Sequence, residues 1–196
     1  NYIVLGHRIS AGGLPAGGLV IIGGTPFPER NPSIAFNSTN GQYLVAFELD
    51  HSEPDYSANI IVGIRLDGAG TALAGIQTLA ALSNDSFQPD LAYGSAADQF
   101  FLVFKYDGSG NGSDHDILGA LYDSAGNILN GGSIYYVGGF IFDEAEPQVI
   151  YNTRDNKYYC VFQAKWENVD HHLIGRHIGA GGIPVSDDAF VSSFIQ

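Results

Sequence analysis

Pro32, Pro89 and Pro147 stand 57 and 58 residues apart, each inside the same kind of run. The runs read Asn-Pro-Ser-Ile-Ala-Phe from Asn31, Gln-Pro-Asp-Leu-Ala-Tyr from Gln88 and Glu-Pro-Gln-Val-Ile-Tyr from Glu146. Phe47, Phe104 and Phe162 keep the same spacing. A period of this length marks a repeat architecture, in which each unit buries a face against its neighbours. Its second half contains a glycine, and Gly6, Gly63, Gly119 and Gly175 follow one another at 57, 56 and 56 residues. The chain therefore carries four second halves and three first halves. We divide it as a half repeat over 1–29 and full repeats over 30–86, 87–144 and 145–196.

Gly or Pro interrupts the chain at short intervals, and no window keeps a 3.6-residue apolar period. With 12 Phe, 11 Tyr and many Val and Ile, this is an all-β pattern. Four strands are expected per unit. The first begins just after each proline (Ser33, Asp90, Gln148). The second is apolar on consecutive positions, as in Tyr43-Leu44-Val45-Ala46-Phe47. The third runs through the repeated glycine, and the fourth follows a Gly-containing turn such as Asp67-Gly68-Ala69-Gly70. A strand apolar on both faces is covered on both faces, which radial stacking of four-stranded antiparallel sheets achieves. The expected fold is a β-propeller-type array of three full repeats plus an N-terminal half repeat.

The pattern Pro-x-Ile/Leu-Ala-Tyr/Phe-Asn, a turn, Tyr-Leu-Val-x-Phe, a loop and Asp-Ile-x-Gly-x-Arg resembles a repeat of bacterial secreted β-propeller-like proteins. The third unit, Tyr151-Asn152-Thr153-Arg154-Asp155-Asn156-Lys157-Tyr158 with Ile174-Gly175-Arg176, matches it best. The family's acid three residues before the glycine is present as Asp116, whereas Ile60 and His172 replace it in the other full units. The resemblance implies an extracellular or cell-surface repeat scaffold and brings no catalytic residues.

Charge narrows the partners. With 21 acids against 8 bases, net −13, the chain lacks the clustered Lys and Arg that nucleic acid or anionic lipid needs. No run is long and apolar enough to span a membrane. Three Asn-X-Ser/Thr sequons, at Asn37, Asn84 and Asn111, fit an extracellular protein, and a chain opening on Asn1 reads as processed or excised. Cys160, inside an apolar strand, reads as a small core residue.

The loop Asp107-Gly108-Ser109-Gly110-Asn111-Gly112-Ser113-Asp114-His115-Asp116 alternates oxygen-bearing residues with glycine. Asp107, Ser109, Asn111, Asp114 and Asp116 are candidate calcium ligands, because a hard cation takes six to eight oxygens. Leu118 stands where a calcium loop carries its bidentate Glu. Trp166, Tyr106 and Tyr56, in related loops, are candidate platforms for a sugar ring. His171, His172 and His177 lie on one strand, with neighbours on opposite faces. The carboxylates Asp143 and Glu144 read as a solvated turn.

No Gly-x-Ser-x-Gly, His-Glu-x-x-His or phosphate-binding loop is present. The leading expectation is therefore a non-enzymatic scaffold for binding or self-assembly, with a partner subunit or second copy completing the unmatched half. A lectin-like propeller that binds a glycan is one alternative. The other is a glycosidase-like propeller, which requires two inward-facing carboxylates roughly 5–10 Å apart in the central channel.

Overall fold

The computed structural model describes residues 2–50, 58–140, 143–166, 170–185 and 189–192; positions 166, 170, 171 and 189–192 are described by backbone alone. Fourteen strands are present among them. A two-stranded ribbon of β1 (Leu5–Gly6) and β2 (Val20–Ile21) comes first. Three antiparallel four-stranded sheets follow. The first joins β3 (Glu29–Asn37), β4 (Gln42–Leu49), β5 (Ile60–Leu66) and β6 (Gln77–Ala80). The second joins β7 (Ser86–Gly94), β8 (Gln99–Asp107), β9 (His115–Asp123) and β10 (Ile134–Gly138). The third joins β11 (Asp143–Asn152), β12 (Lys157–Trp166), β13 (Asp170–Gly179) and β14 (Ala189–Ser192). In each sheet the strands lie in chain order, so every connection within it is a hairpin. This is a β-propeller-type array of three full blades and a half blade.

The second strand of each of the first two blades alternates its side chains between two cores. Leu44 and Ala46 join Leu91, Phe100, Leu102 and Phe104 between the first and second sheets. Val45 and Phe47 turn the other way, onto Val4 and Ile22 of the half blade. Phe101 and Val103 meet Tyr158, Cys160 and Phe162 between the second and third sheets. Phe47, Phe101, Phe104 and Phe162 are all fully buried, and each such ring contributes about 1.5–3 kcal/mol. Stacking of blades, rather than any single sheet, therefore holds the array together. Cys160 packs as the apolar residue its surroundings demand, with burial pushing its thiol up.

The repeated glycine makes room for the outer strand. A Cβ on Gly63 would lie 2.7 Å from Leu79 Cδ1, and one on Gly119 would lie 2.6 Å from Phe101 Cζ and 2.9 Å from Val137 Cγ2. The turn that follows is the same in all four copies. Gly13, Gly70, Gly126 and Gly182 have φ of 77°, 85°, 84° and 78°, a region closed to most side chains.

Two boundaries differ from the sequence-based expectation. The third-type strand expected through Gly6 is reduced to the two residues of β1, because it has only one neighbour, β2. The inner strands begin before their prolines, at Glu29, Ser86 and Asp143, and run through them. The reason lies in the bulges that form the site.

Candidate functional site

Proline cannot donate to a β ladder, so inside a strand it is confined to edges and bulges. β3, β7 and β11 are edge strands, and each has a register shift at its proline: between Arg30 and Ser33, Phe87 and Asp90, and Ala145 and Gln148. The residue before each proline takes a positive φ: 47° at Asn31, 48° at Gln88 and 53° at Glu146. For Gln and Glu this is an uncommon conformation, and such strain concentrates at functional sites. β3 packs beside β7 and β7 beside β11, so the three bulges come together. They line one cavity of about 580 Å³, completed by Val161, Gln163 and Leu173.

Side chains at equivalent positions wire the bulges to one another. Ser33 Oγ donates to Asp90 Oδ1 at 2.7 Å and accepts from Leu91 N at 3.1 Å. Val149 N donates to Asp90 Oδ2 at 2.7 Å, so Asp90 is held from the inner strands on both sides. Asn31 Nδ2 and the backbone of Gln88 both donate to Glu48 Oε1. Glu146 N donates to Gln88 Oε1 at 3.0 Å, and Gln163 Nε2 donates to Glu146 Oε2 at 2.6 Å. Asp90 and Glu146 thus present carboxylates to one cavity from neighbouring strands, among the amides of Asn31, Gln88, Gln148 and Gln163. Amides and carboxylates together donate to and accept from sugar hydroxyls, and a carboxylate pair can work on the bond between two sugars. The sequence held the clue in the three aligned tripeptides, but their prolines read as strand boundaries.

The candidate calcium ligands are divided. Asp107 accepts from Gly110 N and Gly112 N, both at 2.8 Å, and from Ser109 Oγ at 2.9 Å. Burial opposes its ionisation, but these bonds outweigh it and hold the carboxyl below its usual range. Asn111 Oδ1 accepts from Ser113 N at 3.0 Å and lies 2.6 Å from Ser109 Oγ, whose one proton it shares with Asp107. The oxygens of Asp107 and Asn111 therefore serve the loop's own donors. The negative charges of Asp116 and Asp114 bear on Glu144 and oppose its ionisation. Among the described residues no group of three or more His, Cys, Asp or Glu is arranged to hold a metal ion.

Glu144 corrects the reading of Asp143 and Glu144 as a solvated turn. It lies in β11, fully buried, with Oε1 accepting from Phe140 N at 3.3 Å and Oε2 without a hydrogen-bond partner. Burial, reinforced by the negative charge of Asp116, pushes its carboxyl up to about 9. Its repeat equivalent, Glu29, is buried too but accepts from Val4 N, Gly24 N and Thr25 N at 2.8, 2.6 and 2.7 Å. One glutamate is a saturated turn organiser; the other carries a proton at neutral pH. Next to it, His115 Nδ1 lies 2.5 Å from Asp143 Oδ1.

Of the three aromatic candidates, the described residues include the side chain of Tyr106. Tyr106 packs its ring on the core between the first two sheets and shares a hydrogen bond with Ser83 Oγ at 3.1 Å. Tyr56 lies outside the described residues, as does the side chain of Trp166, whose backbone ends β12. His177 is exposed, its ring 4.7 Å from that of Tyr159. The sequon residue Asn37 is fully buried, bonded to Asp98, so the folded chain does not offer it for glycosylation.

No protein-family model and no curated protein sequence matches the chain. Solved structures do. A Hadza microbial sialidase, Hz136, aligns at a TM-score of 0.58 with 12% identity, over 75% of this chain and 35% of that one. An α-L-arabinofuranosidase from Lactobacillus brevis aligns at 0.50 with 17% identity, over 83% and 53%. An endo-1,5-α-L-arabinanase from Thermotoga petrophila RKU-1 aligns at 0.49 with 15% identity, over 83% and 43%. The chain spans between about a third and about half of the length of these proteins. At such identities the likeness shows the fold. The expectation of a non-enzymatic scaffold is overturned here. It rested on the lack of short catalytic motifs, whereas the solved structures that share this fold include glycosidases, a sialidase and an arabinofuranosidase.

Proposed function

We propose that the propeller formed by these repeats hydrolyses glycosidic bonds, with the cavity at the three bulges as its sugar site. The observation that carries this reading is the placement of Asp90 and Glu146 on neighbouring inner strands, facing one amide-lined cavity. Glycoside hydrolysis uses two carboxyl groups, one protonating the departing oxygen and the other attacking the sugar or activating water. Asp90, fixed at both oxygens by Ser33 and Val149, is the oriented carboxylate. Glu146, bonded at one oxygen to Gln163, keeps its second oxygen for the proton of a general acid.

The lining also selects among sugars. It contains no Lys or Arg among the described residues, so a sugar carboxylate would enter beside Asp90 and Glu146 without a counter-charge. A neutral glycan fits better. An extracellular or cell-surface location suits a polymeric substrate of this kind and belongs to the same proposal.

The test is release of reducing ends from a panel of neutral and sialylated oligosaccharides and aryl glycosides. Turnover of a neutral member is expected, falling at least about 100-fold in Asp90→Asn and in Glu146→Gln. Activity that survives both substitutions, or preference for sialylated substrates, overturns the assignment.

A further inference from the structure

Glu48, on β4, is only 6% exposed and stands outside the cavity lining, yet it is bonded to two residues that form that lining. Asn31 Nδ2 donates to its Oε1 at 2.7 Å, and Gln88 N donates to the same oxygen. Its place in the repeat is that of Lys105 and Gln163. Glu48 faces Arg30, Lys105 faces Phe87 and Gln163 faces Ala145, each the last pair before a bulge. The first and third blades make this contact with opposite polarity. In the third, the amide of Gln163 donates to a carboxyl oxygen of Glu146; in the first, the amide of Asn31 donates to a carboxyl oxygen of Glu48. The acid is therefore on the inner strand in the third blade, facing the cavity, and on the second strand in the first blade, withdrawn from it.

A carboxyl group taken out of water is costly to a fold unless donors meet it. The donors that meet Glu48 are themselves held by it. Gln88 has a φ of 48°, uncommon for a residue with a long side chain, and it is fixed at two points. Its N–H is taken by Glu48, and its Oε1 accepts from Glu146 N at 3.0 Å. Glu146 has a positive φ too, 53°. One continuous set of bonds thus runs from Glu48 in the first blade, through Gln88 in the second, to the backbone of Glu146 in the third. That backbone decides where the Glu146 carboxyl stands, and a displacement of about 1 Å at a reacting group can cost about 100-fold in rate.

We infer that Glu48 is a positioning residue for the general acid Glu146, acting through Gln88; the role rests on the reading of the cavity as a glycosidase site. As the glycosidic C–O bond breaks, its electron pair goes to the departing oxygen, which takes the proton of the Glu146 carboxyl. Glu48 and Gln88 exchange no proton in this step and set the place from which that proton is given. A departing sugar needs the proton in full, because its alkoxide is a poor leaving group. A nitrophenol departs as a stable anion and needs little of it. Loss of the acid's placement therefore slows the first kind of substrate far more than the second, whereas general loosening of the fold slows both alike.

The test compares kcat of the full chain and its variants on a neutral oligosaccharide and on the nitrophenyl glycoside of the same sugar. Glu48→Leu removes the acceptor, and its kcat should fall at least about tenfold on the oligosaccharide but less than about threefold on the nitrophenyl glycoside. Glu48→Asp keeps the carboxyl and withdraws it by one methylene; it should show the same split and serves if the Leu variant does not fold. Glu48→Gln keeps an oxygen in place and should retain both activities within about threefold. Amide exchange of Gln88 and Glu146 should quicken at least about tenfold in the Leu or Asp variant. Equal losses on the two substrates, or exchange at the rate of the unsubstituted chain, overturn the positioning role. Glu146→Gln is the control, and it should show the split most strongly. If it loses equally on both substrates, or if the unsubstituted chain turns over neither, the glycosidase reading itself falls and the role of Glu48 with it. A split in Glu146→Gln without one in the Glu48 variants overturns the role of Glu48 alone.

Discussion

The hydroxyl of Ser33 donates to the carboxylate of Asp90 at 2.7 Å, although the two residues hold the same position in successive repeats. A repeat thus uses one site twice, as donor in the first blade and as acceptor in the second. Ser33→Ala removes the donor to Asp90 and the acceptor of Leu91 N together. Hydrogen bonds to charged groups contribute about 1.5–3 kcal/mol each, so denaturant unfolding should show a loss in that range. Turnover should fall as well, since Asp90 loses one of its two fixed oxygens.

Glu144 makes stability depend on pH. It titrates near 4.5 when unfolded and at about 9 when folded, so between those values the folded chain binds the extra proton. Stability from this group is complete below pH 4.5, declines as pH rises toward 9 and then levels off. Asp107 acts in the opposite sense: its lowered carboxyl contributes stability above its unfolded value of 3.8, which is lost as pH falls. Glu144→Gln should remove the alkaline decline and stabilise the chain at pH 8 by more than about 1 kcal/mol. Thermal unfolding followed from pH 5 to 9 measures this, and parallel profiles for the two proteins would contradict it.

Gly119 leaves no room for a methyl group. A Cβ there would meet Phe101 at 2.6 Å and Val137 at 2.9 Å, both fully buried, whereas one on Gly75 would meet nothing within 4 Å. Gly119→Ala should therefore cost about 1–3 kcal/mol by overpacking. Gly75→Ala should be neutral or slightly stabilising. Equal melting temperatures for the two variants would show that the outer strand gives way freely.

The charged loop can be tested by Asp107→Asn. Its carboxylate gathers two backbone amides and one hydroxyl, so the substitution should loosen Ser109–Gly112 and speed amide exchange of Gly110 and Gly112 about tenfold or more. Chelator added to the unsubstituted chain separates this account from a calcium-held loop. A fall in melting temperature on chelation would return Asp107, Ser109 and Asn111 to the role of cation ligands.

Blade number, strand order and the stacking cores were legible in the sequence, because a strand such as Tyr43 to Phe47 carries apolar residues on both faces and its repeats keep their spacing. The bulges were not. Pro32, Pro89 and Pro147 looked like boundaries because proline usually ends a strand, whereas a bulged edge strand can run through one. Glu144 looked solvated because sequence shows the acid but not the Phe140 loop and the Asp116 strand that enclose it. The internal bonding of the Asp107 loop was hidden for another reason: turn formation and cation binding draw on the same oxygen-bearing residues at the same spacing. The two cavity acids went unnoticed for a related reason. Asp90 and Glu146 hold different positions within their repeats, and only the packing of β7 beside β11 brings them to one place.

The central claim is that sugar binds at the bulges. Its most direct test is a titration of the isotopically labelled full chain with a neutral oligosaccharide, followed by amide and side-chain chemical shifts. Saturable shifts at Gln88, Asp90, Glu146 and Gln163, lost in Glu146→Gln, are the predicted result. Shifts confined to Tyr106 and the Ser109–Gly112 loop, or none with any neutral oligosaccharide, would contradict it.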